Sequence, residues 1–359
     1  MFGKAELSCP AFEDAFGNTL LELSYEDFTA RGFRPGDSVD VCFGNGVCWA
    51  DIPYFNGCYV REGERYVYAQ KGYPHVRIGI AFGKSYKEAG LTENASCRIL
   101  LRERGKYLSL QNLLSVEFTL HRKDYTNDAF FANYRSLSGG AILPNRFYRS
   151  VSPFLQFDNA FYVNKLMERD GIAFVLNTCD TPEELKMAVA SGRFDGQYAK
   201  KLYEQGKILS FSSSIGFRTE EFKAELVSSL RVLMRHEGPY LTHCMLGIDR
   251  TGFICCLLEA FAGACYTELI EDYMRTFEFL CGITKENRPE KYATLADLRG
   301  NWMLSILLES AFDAESNPPL EKADFQKAAC LYLKQGSMER QELAALYRLL
   351  CGKESPYEF

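Results

Sequence analysis

The chain has 359 residues, a formal net charge of −6 and a pI near 5.5, and 47% of its residues are hydrophobic. These values are ordinary for a globular protein of one or two domains. The acidic balance argues against nucleic acid or an anionic membrane surface as the main partner. No apolar run has the length of a membrane helix, so we expect neither a membrane span nor a secretory signal.

The cysteines give a further expectation about the compartment. The sequence contains 13 of them, and their spacings match no metal-binding pattern. We therefore predict free thiols, a cytoplasmic location, no metal and no other cofactor.

The first part of the chain, residues 1–118, predicts a β-rich accessory domain. Short strand-like runs flank the hairpin signal Gly44-Asn45-Gly46. The segments ERYVYAQ, HVRIGIAFG and SCRILLRERGKYLSL also have strand-like lengths, and a compact barrel fits them. DAFGNTLLELS and GDSVDVCFG resemble the C-terminal β-barrel domain of the S-adenosylmethionine hydroxide adenosyltransferases. The domain that supplies that family's chemistry is not found here, so the resemblance implies a small barrel whose ligand or partner is unknown.

The second part, residues 119–359, predicts an α/β domain. GIAFVLNT, KILSFSSS and YLTHC are strand-like, and they alternate with helical patterns such as NAFYVNKLMERD. TEEFKAELVSSLRVLMRHE is amphipathic, and RTGFICCLLEAFAGA is apolar on nearly all sides, as in a buried helix. We predict a central, mostly parallel sheet flanked by helices, followed by a mostly helical tail.

The stretch THCMLGIDRTGF, residues 242–253, joins the last strand to the apolar helix and predicts an anion site. Amides at a helix start lack backbone partners and attract anions. Arg250 can bind two phosphate oxygens, and Cys244 lies where a helix end and an arginine favour the thiolate nucleophile. His243 is expected to hold the loop through hydrogen bonds, and Thr251 could donate its hydroxyl to the cysteine sulfur. The residues predicted to bind the phosphate are Met245, Leu246, Gly247, Ile248, Thr251 and Gly252.

Five motifs in this order resemble the cysteine-dependent protein-tyrosine phosphatase superfamily, in its bacterial tyrosine and dual-specificity branch. They are NYRSLSGG, NRFYRSVSPF, GIAFVLNTCDTPEEL, HCMLGIDRTG and ELIEDYMRT, and the resemblance covers roughly residues 130–350. It implies the phosphatase fold and metal-free chemistry. It also implies Cys244 as nucleophile, Arg250 as phosphate clamp and Asp249 as a loop carboxylate. Arg149 and Ser150 line the site by this resemblance, although an arginine at a strand end is as often a surface ion pair.

The general acid is left open among three aspartates. The span GKILSFSSSIGFRTEEF contains no aspartate, and its Glu220 and Glu221 fit the first turn of a helix. Asp249 is favoured by this elimination, yet a carboxylate there also fits an ion pair that holds the loop. Asp180 and Asp195 are the alternatives, although Asp180 fits better as a turn or cap residue before a helix.

The predicted function is hydrolysis of phosphomonoesters. The main predicted substrate is protein phosphotyrosine, and dual specificity is an extension of this prediction. The substrate is a phosphorylated protein or a small phosphomonoester. Ile248 stands where the resembled loop has lysine, which counts against polyanionic substrates. Asn177 and Cys179 likewise replace that branch's aspartate and arginine. A phosphoinositide or inositol-phosphate phosphatase, or a catalytically weak phosphate-binding protein, is the alternative.

Overall fold

The computed structural model describes residues 5–14, 17–57, 60–211, 216–312 and 318–356. Residues 15 and 16 of the DAFGN stretch, and residues 212–215 after KILSF, lie outside the described residues. The chain divides into two compact units, Met1–Val116 and Glu117–Phe359.

The first unit is a closed barrel of seven strands over its described residues, in the order β1-β2-β6-β5-β4-β3-β7. Neighbouring strands are antiparallel except β4 and β5, which are parallel. The predicted barrel is thus confirmed, but SCRILLRERGKYLSL is extended only in its first half, since β7 ends at Glu103 and a helix begins at Leu108. The elements are β1 (Glu6–Glu13), β2 (Thr19–Leu21), α1 (Tyr25–Ala30), β3 (Ser38–Phe43), β4 (Cys48–Phe55), β5 (Arg65–Tyr68), β6 (Val76–Ile80), α2 (Ser85–Glu88), β7 (Ser96–Glu103) and α3 (Leu108–Leu114).

The β3–β4 hairpin turns at the predicted Gly-Asn-Gly signal. The Val47 carbonyl accepts a hydrogen bond from the Phe43 amide at 2.8 Å, and Asn45 ties the turn to the Ala89 carbonyl at 2.8 Å. At the base of this turn Cys42 and Cys48 form a disulfide bond. The prediction that all thiols are free is therefore wrong for this pair, because the hairpin register brings two cysteines opposite each other.

The second unit holds a five-stranded sheet in the order β11-β10-β12-β9-β8 over the described residues. The pairs among β11, β10, β12 and β9 are parallel, and β8 joins β9 antiparallel. The prediction of a mostly parallel sheet is confirmed in part, because an antiparallel strand closes one edge. The elements up to the last strand are α4 (Asp128–Phe131), β8 (Arg135–Ser136), β9 (Phe147–Ser150), α5 (Asn159–Arg169), β10 (Phe174–Asn177), α6 (Pro182–Ala190), α7 (Tyr198–Glu204), β11 (Ile208–Ser210), α8 (Glu220–Leu233) and β12 (Tyr240–His243).

The predicted helices of this unit form where the apolar pattern places them. Helix α8 begins after its cap Thr219 and buries Phe222, Leu226, Leu230 and Leu233 on one face. The remaining helices are α9 (Arg250–Phe261), α10 (Tyr266–Cys281), α11 (Pro289–Leu295), α12 (Trp302–Glu309), α13 (Phe325–Gln335) and α14 (Arg340–Cys351). Every described residue of α9 from Thr251 onward is buried, as the all-round apolar pattern predicts. No helix within the described residues is long and apolar enough to cross a membrane.

The sheet topology brings the polar loops together at one edge. Strand β12 lies between β10 and β9, all three parallel, so their carboxyl ends meet at the same edge. In open α/β sheets ligands bind at the carboxyl ends where strand order reverses. The loop that follows β12 therefore lies between the segments that follow β10 and β9.

Candidate active site

The phosphate-binding candidate is the loop from Cys244 to Asp249, between β12 and α9. Cys244 is buried, with 4% of its surface exposed, and Arg250 is the first residue of the helix. Gly247 has φ of +70°, and a Cβ there would lie 2.5 Å from the Ser150 carbonyl oxygen. Only glycine fits this close approach of the loop to the end of β9.

Three consecutive carbonyls of the loop face the β9 side. The Ser152 amide donates to the Met245 carbonyl at 3.0 Å, and the Asn133 side chain donates to the Leu246 carbonyl at 3.0 Å. Arg149 Nη2 donates to the Gly247 carbonyl at 2.8 Å. In a trans peptide the N–H points opposite the carbonyl. The next three amides therefore point away from these partners, which is the orientation that an anion cradle requires.

A buried charge network supports the loop from below. Asp272 of α10 accepts from Arg135 Nε at 3.0 Å and from Arg149 Nη1 at 2.9 Å. Thr276 Oγ1 accepts from both arginines, at 3.0 and 3.2 Å. Burial alone would raise the pKa of Asp272, but the two guanidinium charges hold it below its usual range. The network holds Arg149 in the position from which it donates to the Gly247 carbonyl.

Arg149 and Ser150 do not reach the site in the way that the resemblance implies. Arg149 is 0% exposed, so it is neither a surface ion pair nor a direct phosphate ligand, and it contacts the back of the loop instead. The Ser150 hydroxyl is buried and donates to the Val151 carbonyl at 2.7 Å. Arg149 supports the loop from beneath, whereas Ser150 approaches it only through its backbone carbonyl.

Arg250 lies against the end of β10. Its Nη1 donates to the Thr178 carbonyl at 2.7 Å, and Thr178 in turn donates its hydroxyl to the His243 carbonyl at 2.7 Å. Asp180 follows in the same segment and accepts from Asn177 at 3.0 Å and from the Cys179 thiol at 3.2 Å. The structure thus brings Asp180 near the loop but engages its carboxylate within its own turn, ahead of the α6 cap Thr181. Asp195 lies beyond α6, with its side chain 67% exposed and paired to Lys200.

His243 is fully buried beneath the loop. Burial, opposed by the charge of Asp180, lowers the pKa of its imidazole to about 4. A histidine that is neutral at pH 7 fits the predicted holding role, and its Nδ1 lies 3.4 Å from the Cys244 carbonyl. The Thr251 hydroxyl is buried as well. It has no hydrogen-bond partner among the described residues, so the predicted bond to the Cys244 sulfur is not present in this structure.

Asp249 immediately precedes α9 but its side chain does not cap the helix. Its carboxylate instead accepts from Arg299 Nη1 at 2.7 Å. Of the two side chains, Asp249 is 39% exposed and Arg299 19%. The partner in the ion-pair alternative for Asp249 is therefore Arg299.

The remaining loop residues divide into exposed and packed side chains. Met245 is 55% exposed, whereas Ile248 is half-buried and packs against the core of this unit. A Cβ on Gly252 would lie 2.8 Å from the ring of Tyr273, so the start of α9 packs closely on α10. No group of three or more metal-ligating side chains is present among the described residues.

Three supporting residues were missed individually. Asn133 and Asp272 lie inside the motifs NYRSLSGG and ELIEDYMRT. The motifs thus indicated these segments, but not the contacts that the two side chains make. Arg299 lies in no motif, and no pattern in the sequence connects it to the loop.

Comparison with known proteins gives one family match. Residues 187–317 match the profile of the tyrosine phosphatase family, and this segment includes Cys244, Arg250 and Arg299. Over that segment the chain is similar to the tyrosine phosphatase family. No curated protein matches the chain significantly.

Solved structures resemble the chain only at low identity. The core catalytic domain of the PP-IP phosphatase SIW14 from S. cerevisiae is 17% identical, with 46% of this chain and 85% of that chain covered and a TM-score of 0.28. P. aeruginosa TpbA, in a complex with pTyr, is 18% identical, with 48% and 94% covered and a TM-score of 0.28. An uncharacterized conserved protein from Thermotoga maritima is 17% identical, with a TM-score of 0.23. That match covers 26% of this chain, which spans 36% of that protein.

Proposed function

We propose that this protein hydrolyses phosphomonoesters, with protein phosphotyrosine as the main substrate class, through a cysteinyl-phosphate intermediate. One observation carries the proposal. Three consecutive loop amides are turned toward one side, between the Cys244 thiol at the strand end and the Arg250 guanidinium at the helix start. Such an arrangement binds a tetrahedral dianion and presents a nucleophile to it.

The reaction proceeds in two displacements. Cys244 Sγ bonds to phosphorus as the bond between phosphorus and the leaving oxygen breaks, and that oxygen takes a proton from the Asp249 carboxyl. Water then attacks phosphorus and gives a proton to the Asp249 carboxylate, while the sulfur–phosphorus bond breaks. The products are inorganic phosphate and the regenerated thiolate. Loop amides and Arg250 stabilise the charge on the equatorial oxygens in both steps.

The rim of the site supports an aromatic monophosphate as substrate. Met245 of the loop is exposed. Ile248 adds no charge and packs partly into the core. A phosphoinositide or inositol polyphosphate requires several cations around the site, so this rim favours phosphotyrosine, with dual specificity as an extension to phosphothreonine.

One observation favours a second candidate, a phosphate-binding protein with weak turnover. The Asp249 carboxylate is engaged by Arg299 at 2.7 Å, so the general acid is tied to another group in the resting structure. Measured turnover of the unmodified protein separates the two candidates.

The two units have separate proposed roles. We propose residues 119–359 as the phosphatase domain and residues 1–118 as an accessory barrel with its own, unknown ligand or partner. The cytoplasmic location remains a prediction. The described free cysteines favour it, whereas the Cys42–Cys48 disulfide is typical of oxidising compartments.

The test uses the full chain with p-nitrophenyl phosphate in the presence of a metal chelator. We expect turnover by the unmodified protein and a loss of about 10³-fold or more in Cys244→Ser. Cys265→Ser is the matched control, because Cys265 is exposed and serine suits its helix-cap position. Retained activity in Cys244→Ser, or no turnover by the unmodified protein, would overturn the proposal. A panel of phosphotyrosine, phosphothreonine and phosphoinositide substrates then ranks the substrate classes.

A further inference from the structure

We propose that Arg299 is a positioning residue that holds the Asp249 carboxylate toward the leaving-group oxygen. The inference rests on the proposed function, in which Asp249 is the proton donor. It assigns a role to a residue that lies 50 positions from the loop in sequence and contacts it directly in the fold.

The side chain of Asp249 has two orientations available at a helix start. A residue in this cap position ordinarily turns its carboxylate onto the free amides of the first turn. Asp249 does not do so, and its backbone is helical, with φ −85° and ψ −68°. The 2.7 Å contact with Arg299 Nη1 thus draws the carboxylate away from the helix amides.

Arg299 reaches Asp249 because of a π-helical turn. Residues Ala296–Asn301 form this turn between α11 and α12. In a regular α-helix Arg299 would share the buried face of Leu295, four residues earlier. The π turn accommodates one more residue, so Gly300 packs inward and Arg299 lies to the side, partly exposed. Such turns are frequent at functional sites.

Two glycines fix the distance between this turn and the loop. A Cβ on Gly252 would lie 2.8 Å from one edge of the Tyr273 ring, and a Cβ on Gly300 would lie 3.3 Å from the other edge. The ring of Tyr273 is therefore held between the start of α9 and the π turn. A larger side chain at Gly252 would require the Tyr273 ring to move, and one at Gly300 would meet Ile270 Cδ1 at 2.8 Å as well.

Arg299 does not take the place of the lysine that the resembled loop has at the position of Ile248. A lysine at position 248 would lie within the phosphate loop, whereas Arg299 contacts Asp249 at the end of the loop. If Arg299 positions the proton donor, its loss slows substrates with poor leaving groups more than those with good ones. If Arg299 binds phosphate, its loss slows every substrate equally. The two roles therefore give different kinetics.

The experiment compares Arg299→Met, Arg299→Lys, Asp249→Asn and the double variant Asp249→Asn/Arg299→Met in the full chain. Phenyl phosphate, with a poor leaving group, and p-nitrophenyl phosphate, with a good one, are the substrates. We expect Arg299→Met to lower kcat for phenyl phosphate about 10- to 100-fold, with a loss of no more than about 3-fold for p-nitrophenyl phosphate and an unchanged KM. Arg299→Lys should recover most of the loss, and the double variant should be no slower than Asp249→Asn.

The control is Arg231→Met, which removes a different arginine–carboxylate pair, with Glu342, that does not include the loop. This variant should leave kcat and KM for both substrates unchanged. Losses that multiply in the double variant, or equal slowing of both substrates with a raised KM and weaker inhibition by inorganic phosphate, would overturn the positioning role. These results are distinct from a failure of the proposed function, which shows as activity in Cys244→Ser or none in the unmodified protein.

Discussion

The barrel and the interior beneath the phosphate loop are built on different principles. Among the described residues the barrel unit buries one charged side chain, Asp37, and a few uncharged polar ones such as Thr19 and Ser85. Its core cluster is made of apolar residues such as Val39 and Ile99. The second unit buries a set of charged and titratable side chains, most of them around the loop. They are Arg135, Arg149, Lys223, His243, Glu259 and Asp272.

Apolar burial stabilises the barrel, whereas the buried charges around the loop of the second unit serve the geometry of the site. Burial of apolar surface is favourable without any geometric precision, and it suffices to close a barrel. Charged groups are costly to remove from water and are retained only when paired and hydrogen-bonded. In the second unit Arg149 and Asp272 are buried as such a pair, and Arg149 contacts the loop. The buried pair of Arg149 and Asp272 therefore marks the elements that set the site geometry.

The largest expected effect comes from Asp272→Asn. The change leaves Arg135 and Arg149 buried without their shared counter-ion, so we expect a loss of about 3–5 kcal/mol in the second unit. Amide hydrogen exchange measures this by region: peptides from β12 and α9 should exchange faster, while barrel peptides from β3 and β4 keep their protection. Faster exchange in both units alike, or in neither, would contradict the contrast between them.

The next effect concerns Glu259 of α9. Burial and the nearby Asp272 raise the pKa of this carboxyl to about 8. Between the usual glutamate pKa and about 8 the folded state keeps a proton that the unfolded chain releases, so stability falls as pH rises through this window. We expect Glu259→Gln to remove about 2–4 kcal/mol of that fall.

Urea unfolding at several pH values, with the unmodified protein alongside, provides the measurement. His243 acts in the opposite direction, because its lowered pKa of about 4 favours the folded state as pH rises toward 6.5. Both proteins contain His243, so the difference between their profiles isolates Glu259. Parallel profiles would show that Glu259 ionises freely in the folded state.

The smallest effect is expected on the barrel surface. Arg98 and Glu6 form a pair at 3.5 Å, with side chains 54% and 51% exposed. Arg98→Met should change the free energy of unfolding by no more than about 0.5 kcal/mol, because solvent screens such pairs. Thermal unfolding at low and moderate salt checks this. A loss comparable to that of Asp272→Asn would mean that surface charge, too, holds the barrel.

Local patterns predicted the parts of the molecule that depend on local interactions. The apolar spacing predicted α8 and the fully buried α9, and the Gly-Asn-Gly signal predicted the β3–β4 hairpin. The strand–loop–helix around Cys244 follows from the same kind of signal, since glycine, cysteine and arginine lie within one short segment. In these places the sequence neighbours are also the spatial neighbours.

The other features depend on residues that are distant in sequence. Arg149 gave no sign of being buried, because its partner Asp272 lies 123 positions later. Arg299 owes its position to a π turn and to two glycines on one tyrosine ring, and no periodicity encodes that combination. The Cys42–Cys48 pair required the hairpin register, which the turn signal alone does not give.

The contacts that shape the loop also order its assembly in time. Arg149 and Asn133 reach the loop across 98 and 113 positions of chain, and Arg135 reaches Asp272 across 137. Contacts this distant close late in folding, because long segments must first lose their freedom. The loop should therefore acquire its shape late, at the stage when β12 pairs with β9 across a similar separation. Binding of a phosphate mimic such as vanadate would then report the last step of refolding, after helix formation is complete.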